Sequence, residues 1–106
     1  MINLSTNNEW EKSKISGFFT RDLINQKLGT VKLIKIDPHT HYPVHKHYNK
    51  TEYALVLSGT PEIEVGNAKC RCSEGDFVIF PASATHAISN KGDDFCELVI
   101  GSILVM

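Results

Sequence analysis

The sequence predicts an all-β domain, either a sandwich or a barrel, and three observations support this prediction. The chain of 106 residues is divided into many short runs of β-favouring residues. Groups of Gly, Asp, Asn and Pro that form turns stand between those runs. After residue 14, no window shows a sustained helical period of 3.6 residues. Many short strands with frequent turns are typical of sandwiches and barrels.

The first segment, residues 5–14, differs from the rest of the chain. It opens with Ser, Thr and Asn, which cap helices, and it continues with acidic residues. At most a short N-terminal helical turn is expected there. The remaining chain is interpreted as a series of strands bounded by turn residues: 17–23, 29–36, 44–47, 52–58, 62–65, 68–72, 77–80, 86–90 and 96–104.

The turn signals follow these strands in chain order. Asp37-Pro38 separates the second strand from the third, and Ser58-Gly59 separates the fourth from the fifth. Gly66-Asn67 and Glu74-Gly75-Asp76 bound the sixth strand, and Lys91-Gly92-Asp93 precedes the last one. Each group contains residues that reverse a chain at low cost, so the strand boundaries are expected at these points.

Two strands are apolar on both of their faces. The run from Tyr53 to Leu57 has this character, and so does the C-terminal run from Leu98 onward. One face of such a strand lines the interior, so the other must be covered by a second sheet or a second subunit. Left bare, these strands would be aggregation-prone, and we therefore expect a homodimer.

Composition limits the classes of protein that the chain can belong to. Hydrophobic residues make up 42% and charged residues 22%, as in ordinary globular proteins, and the length suits one domain, residues 1–106. The formal net charge of −1 and the lack of a basic run argue against a nucleic-acid partner. With no apolar stretch long enough to span a bilayer and no export signal, we expect no membrane association and a cytoplasmic location.

The three cysteines, Cys70, Cys72 and Cys96, are expected to be reduced in that compartment rather than to form a disulfide framework. Cys70 and Cys72 are interpreted as small inward-facing hydrophobes, in preference to a second metal site or a redox site. A further group is interpreted as core or cavity wall: Phe77, Ile79, Ile88, Phe95 and Leu98.

Histidines are concentrated in one short stretch, since four of the five fall within residues 39–47. Side chains two apart on a strand share a face, so His45 and His47 could present both imidazoles to one point. Glu52 follows after a turn, and a hairpin would bring its carboxylate alongside. His86 opens a later strand and supplies a further imidazole. The sequence therefore predicts one metal centre built from these four side chains.

Three imidazoles and one carboxylate form a mixed nitrogen and oxygen donor set. Such a set suits one divalent transition metal, Fe, Mn, Ni, Co or Zn, better than calcium or magnesium. On an octahedral metal, four protein ligands leave two adjacent positions for water, dioxygen or a chelating small molecule, and open positions are typical of catalytic sites.

The spacing around these residues resembles the cupin superfamily, in its small single-domain metal-binding form. The segment His45-x-His47-x4-Glu52-x6-Gly59, within residues 39–59, resembles the first cupin motif. A second segment, residues 75–90, carries Gly75, Pro81, His86 and Asn90 and resembles the second motif. The resemblance implies a double-stranded β-helix barrel of jelly-roll type, with the metal held by His45, His47, Glu52 and His86 near one end.

Two positions depart from the family pattern, because His39 and Ser83 stand where the motifs usually have glycine. Neither is a predicted ligand, so the metal assignment is unaffected. The turn after Pro38 often requires a positive φ angle, which His tolerates better than most residues, so we expect modest strain at His39. Asn90 is expected to secure a turn or a strand end.

The favoured functional hypothesis is a small-molecule metalloenzyme, of dioxygenase or isomerase type. The sequence singles out no acid or base, and His41 and Tyr42 are weak candidates because they lie near the predicted ligands. The alternative is a non-catalytic module that binds or senses a sugar-like small molecule through the metal. A storage or structural barrel with an incidental metal is a third, weaker hypothesis, because the barrel alone does not decide function.

Overall fold

A computed structural model describes residues 9–105 and contains two antiparallel β-sheets. Along many of the strands, apolar and polar residues alternate, which suits sheets with one buried face. Their bounds are β1 Glu11–Lys12, β2 Phe18–Asn25, β3 Gly29–Ile36, β4 Thr40–His45, β5 Lys50–Ser58, β6 Glu62–Val65, β7 Ala68–Arg71, β8 Phe77–Phe80, β9 His86–Asn90 and β10 Cys96–Leu104. The all-β prediction is confirmed.

The larger sheet has six strands in the order β1-β2-β3-β10-β5-β8, and the smaller sheet has four in the order β4-β9-β6-β7. Strand β10 is central to the larger sheet because it pairs with β3 on one side and β5 on the other. Consecutive strands β3, β4 and β5 alternate between the sheets, so each connection crosses the barrel. This alternation brings residues of the two sheets together around one interior.

The core lies between the two sheets and follows the two-residue period of the strands. Ala54 and Val56 of β5 point inward and are buried, as is Leu98 of β10. The smaller sheet contributes Ile63 and Ile88 to the same apolar cluster. Ile88 and Leu98 were predicted to lie in the core or the cavity wall, and the structure confirms both.

The N-terminal helical turn is not found where the structure can test it. Residues 5–8 of the predicted segment lie outside the described residues. Within the remainder, Glu11 and Lys12 form β1 and pair with Thr20 and Phe19 of β2, so edge-strand pairing prevails over the helix-capping signal. In residues 9–105 there is no helix with the length and apolar character needed to cross a membrane.

The outer face of the larger sheet is strongly apolar and exposed. Phe77 and Ile79 of β8 are 57% and 55% exposed, and they lie beside Leu55 and Tyr53 of β5. Their prediction as core or cavity wall was wrong, because the inward positions of β8 belong to Val78 and Phe80. Phe95, placed in the same predicted group, is also half exposed in the loop before β10.

The cysteines do not share one environment. All three thiols are free, with Cys72 and Cys96 buried and Cys70 exposed. The inward placement of Cys70 was therefore wrong, because β7 is exposed along its whole length and ends at Arg71, before Cys72. Burial raises the pKa of the Cys72 thiol to about 11 and also raises the pKa of Cys96, so both are protonated at neutral pH and poorly nucleophilic.

Candidate metal centre

The four predicted ligands come from both sheets and meet between them. His45 is the last residue of β4 and His86 the first residue of β9, and the two are directly paired across the smaller sheet. Glu52 lies on the inner face of β5 in the larger sheet. His47 stands in the connection between β4 and β5. The site therefore lies inside the barrel, where the two sheets face each other.

The strand arrangement that brings these four residues together differs from the predicted one. Strand β4 ends at His45, so His45 and His47 do not share one strand face. Nor do β4 and β5 form a hairpin, because β4 pairs with β9 while β5 pairs with β10 and β8. The connection from 46 to 49 crosses from one sheet to the other and carries His47 over the interior. The convergence was predicted from the sequence, but its cause was wrong.

The donor atoms are spaced as ligands of one ion would be. One ligand atom from each of His45, His47, Glu52 and His86 lies within 4.8 Å of the others. Oε1 of Glu52 is 3.1 Å from Nε2 of His47 and 3.3 Å from Nε2 of His86. With metal–ligand bonds of about 2.1 Å, adjacent ligands of an octahedral or tetrahedral ion stand roughly 3.0–3.4 Å apart. The donor set therefore fits a divalent transition metal.

Contacts outside the donor set orient the rings. The Nδ1 atom of His45 is 2.9 Å from the carbonyl oxygen of Pro43, and a proton on Nδ1 leaves Nε2 as the lone-pair donor. The His86 ring stacks on Phe80 at 4.6 Å and meets His45 edge-on at 4.1 Å between centroids. Nδ1 of His86 is buried and has no hydrogen-bond partner within the described chain, so the polar contacts of this ring are made through Nε2.

An irregularity in β4 turns two side chains toward the same interior. Tyr42 pairs with Ile88 and His45 pairs with His86, so three steps on β4 match two on β9. Such a β-bulge shifts the alternation of the strand by one residue. It falls at Pro43 and Val44, where proline is tolerated because regular pairing is interrupted. Without the bulge, Tyr42 and His45 would face opposite sides of the sheet.

The electrostatics of the site favour the forms that bind metals. Burial lowers the pKa of His47 below its ordinary value, and the opposing effect of the Glu52 charge is not large enough to restore it. For Glu52, burial acts to raise the pKa, but a hydrogen bond with His86 and the positive charge of Lys50 contribute to a larger opposing effect, so its pKa is lowered. A neutral imidazole and an ionised carboxylate, which are the ligand forms, therefore predominate at neutral pH.

A cavity of about 420 Å³ opens beside the donor set. Its apolar lining includes Phe18, Ile34 and Ile100, and Tyr42 also contributes to it. Tyr42 packs against Phe18 and His45, with ring centroids 5.1 and 4.7 Å away. The volume is that of a small-molecule site, and the donors form part of its wall.

The two weak candidates for acid or base differ in position. Tyr42 lines the cavity. His41 is exposed, and its Nδ1 lies 2.6 Å from the hydroxyl of Ser89, so its ring belongs to an outer surface groove rather than to the cavity. His41 therefore points away from the four candidate ligands, because neighbouring residues on a strand point to opposite faces.

The two residues that stand in place of motif glycines, His39 and Ser83, have the positive φ angles that glycine commonly adopts. His39 has a φ of 57° and Ser83 a φ of 67°, so the predicted positive φ at His39 is confirmed. The Ser83 N–H donates to the carbonyl oxygen of His47 at 2.7 Å, which ties the loop before β9 to the connection that carries His47. The spacing of the sequence did not indicate this supporting role of Ser83.

Asn90 secures the turn that follows β9, as predicted. Its side chain is fully buried, and its Nδ2 donates to the carbonyls of Ile36, Asp37 and Asp94 at 3.1, 3.2 and 2.8 Å. The Gly92 N–H donates to its Oδ1 at 3.1 Å. One amide therefore holds the end of β3 and the turn before β10 together.

Known proteins share this architecture. The family model described as the cupin domain matches residues 32–103. Mannose-1-phosphate guanylyltransferase RfbM of Salmonella typhimurium is 29% identical over 62 residues, 58% of this chain and 13% of that protein. The chain thus spans a small part of the relative's length.

Solved structures agree on the fold. A predicted oxalate decarboxylase of Thermotoga maritima has a TM-score of 0.89 at 21% identity and covers 99% of this chain and 100% of its own. A sugar phosphate isomerase from a cupin superfamily, from Silicibacter pomeroyi, has a TM-score of 0.75 at 17% identity, covering 84% of this chain and 60% of its own. Since the family model covers well over half of the residues, the chain belongs to the cupin domain family.

Proposed function

We propose that this cupin is a metalloenzyme that acts on a small oxygen-bearing molecule, as an isomerase or a dioxygenase. The observation that best supports this proposal is that three imidazoles and one carboxylate converge on the wall of a cavity of about 420 Å³. A purely structural site would close its coordination shell with protein, whereas these donors border open space. His45, His47, Glu52 and His86 would hold the ion, and it would supply Lewis-acid polarisation of a substrate oxygen.

The chain itself provides binding, orientation and proton handling. Phe18, Ile34 and Ile100 form an apolar wall that excludes water from the bound molecule. Tyr42, packed against His45, carries a hydroxyl that can exchange a proton with the substrate. The isomerase type draws additional support from the Silicibacter pomeroyi cupin, whose name states that activity.

The alternative is a binding or sensing module for a sugar-like molecule. One observation favours this alternative. Of the two residues that the sequence offers for proton transfer, Tyr42 lines the cavity but His41 lies outside it. A binder needs the same cavity and donors but no proton-transfer group. Turnover measurements separate the two proposals.

The first expected result concerns metal content. Protein purified without added chelator is expected to contain about one first-row transition metal per chain, measured by elemental analysis. Removing the metal is expected to lower the melting temperature, because a ligand at about 100 times its dissociation constant stabilises the folded state by about 2.7 kcal/mol. Metal-free protein that neither rebinds an ion nor gains stability would contradict the proposal.

Activity assays then separate the reaction types. Protein loaded anaerobically with Fe(II) and then mixed with catechols, thiols or β-diketones consumes O₂ if it is a dioxygenase. Protein loaded with Mn(II) or Zn(II) and mixed with aldoses or ketoses interconverts them without consuming O₂ if it is an isomerase. Tight binding of a sugar without turnover under either regime supports the binding module instead.

We also propose that the exposed apolar face of the larger sheet is covered by a second copy of the chain. Phe77, Ile79 and Leu57 are exposed there, and β8 forms an edge of the sheet. A face that is apolar where β5 and β8 pair suits a self-complementary two-fold contact. The wild type is expected to have the mass of a dimer by light scattering, and Ile79→Glu that of a monomer; a monomeric wild type at micromolar concentration would refute the proposal.

A further inference from the structure

Lys32 has its side chain on the inner face of the barrel. Lys32 lies on β3 between Ile34 and Thr30, and all three line the cavity. Its partner on β10 is Ile100, which lines the same cavity. Lysine is among the residues least often placed on an inner face, because its ammonium group must keep a polar partner or reach water. An aliphatic residue at this position would continue the apolar wall, so the lysine calls for a chemical explanation.

The charge around the cavity is unbalanced. Lys12, Lys14 and Lys50 also line it, whereas Glu52, one of the donors, is its single carboxylate among the described residues. The ion pairs of residues 9–105 involve other lysines, Lys69 and Lys91. Asp22 is the direct partner of Lys32 on β2 and partly offsets its charge, but it is not among the residues that line the cavity. A cavity lined by lysines attracts anions, since weakly solvated walls concentrate the field of the charges.

The register sets the distance between Lys32 and the donor set. Glu52 pairs with Ser102, and Ser102 pairs with Thr30, so these three lie in one row across the inner face. Lys32 is two residues further along β3. Strand spacing and rise place the Cα atoms of Glu52 and Lys32 roughly 12 Å apart. The Thr30 and Ser102 hydroxyls, 2.5 Å apart, lie in the same row as Glu52, on the side toward β3.

We propose that Lys32 is the anchor of an anion subsite, supported by Lys12 and Lys14, and that the substrate carries a phosphate or carboxylate group at the end remote from the donors. This inference rests on the proposed function for the other end of the molecule. The oxygens of the substrate lie by the imidazoles while its anionic group lies by the lysines. The subsite therefore selects phosphorylated or acidic small molecules over neutral ones. An ammonium is a strong partner for either group, as a charge-assisted hydrogen bond.

The test measures binding by calorimetry to the metal-loaded protein, with matched probes. Ribose 5-phosphate is compared with ribose, and gluconate with glucose, which separates a phosphate from a carboxylate source. The matched variants are Lys32→Met and Lys27→Met, since Lys27 is an exposed lysine between β2 and β3. Lys32→Met is expected to weaken the binding of the preferred anionic probe by about tenfold or more, the value of one charged hydrogen bond. Lys27→Met is expected to bind like the wild type.

The outcomes are distinct from those that test the metal proposal. Equal binding of anionic and neutral probes by the metal-loaded wild type would overturn the anion subsite and leave the metal proposal standing. So would undiminished binding of the anionic probe by Lys32→Met, because the anion would then be held by the metal. A chain without metal would overturn the proposed function, and the same titrations on that chain would still test Lys32. If Lys32→Met does not fold, Lys32→Arg, which keeps the charge, is expected to retain binding within a few-fold, and Lys32→Gln to lose it.

Discussion

Replacing His86 with alanine is expected to remove metal binding, with the dissociation constant rising by at least about 100-fold. Loss of groups that merely support a ligand already costs about 10–100-fold, and His86 is itself a donor, 3.3 Å from Glu52. The ring is buried and stacked on Phe80, so water replaces it poorly as a ligand. Elemental analysis of the purified variant is expected to find much less than one ion per chain. The rise in melting temperature of about 10–20 °C that we expect from metal binding to the wild type should be absent in the variant.

The matched control is His41→Ala. His41 lies on β4 with His45 but faces outward toward Ser89, so this variant loses one imidazole without touching the donor set. Its metal content is expected to equal that of the wild type. Full metal occupancy in His86→Ala would refute the four-ligand assignment, and reduced occupancy in His41→Ala would contradict the placement of His41 away from the ion.

A second large effect is expected from Gly59→Ala, at the end of the first motif. Gly59 has a φ of 85°, and a Cβ added there would stand 2.9 Å from the backbone Cα of Cys96. A left-handed conformation costs a residue with a Cβ roughly 1–2 kcal/mol, and overpacking adds about 1–3 kcal/mol. The backbone of Cys96 belongs to the central strand β10 and cannot move aside easily. We expect a loss of about 3 kcal/mol in the free energy of unfolding, measured by urea denaturation.

Gly66→Ala separates the two contributions. Gly66 also has a positive φ, 58°, but nothing lies within 4 Å of a Cβ placed there. This variant should show the backbone strain alone, about 1 kcal/mol. Equal losses in the two variants would mean that the close packing of Gly59 against Cys96 contributes nothing.

Much of the candidate site was predictable because the capacity to bind a metal ion depends on residue types and on their spacing in the sequence. The candidate ligands His45, His47, Glu52 and His86 follow from the sequence alone, and so do most strand bounds, because two-residue alternation and turn residues are local signals. The exposed side chains of β8 were not predictable in the same way. Phe77 and Ile79 are as apolar as core residues, and only the pairing of the strands reveals that their face is the outer one.

The strand order was also beyond the reach of local signals. The sequence suggested that β4 and β5 form a hairpin, whereas they belong to different sheets. Pairing between distant segments depends on the total burial that each arrangement achieves, and a single run of residues does not encode that sum. Likewise, the bulge at Pro43 places Tyr42 and His45 on one side, which the regular alternation forbids.

The sequence alone determined that the chain is all-β, where its strands and turns lie, and which four side chains can bind a divalent metal. These features depend mainly on residue types and on their spacing along short segments of the chain. The tertiary structure decided which faces are buried, how the two sheets bring Glu52 to the imidazoles, and that Lys32 points into the same cavity. These features depend on contacts between residues far apart in sequence, whose free energy is set by the whole packed barrel.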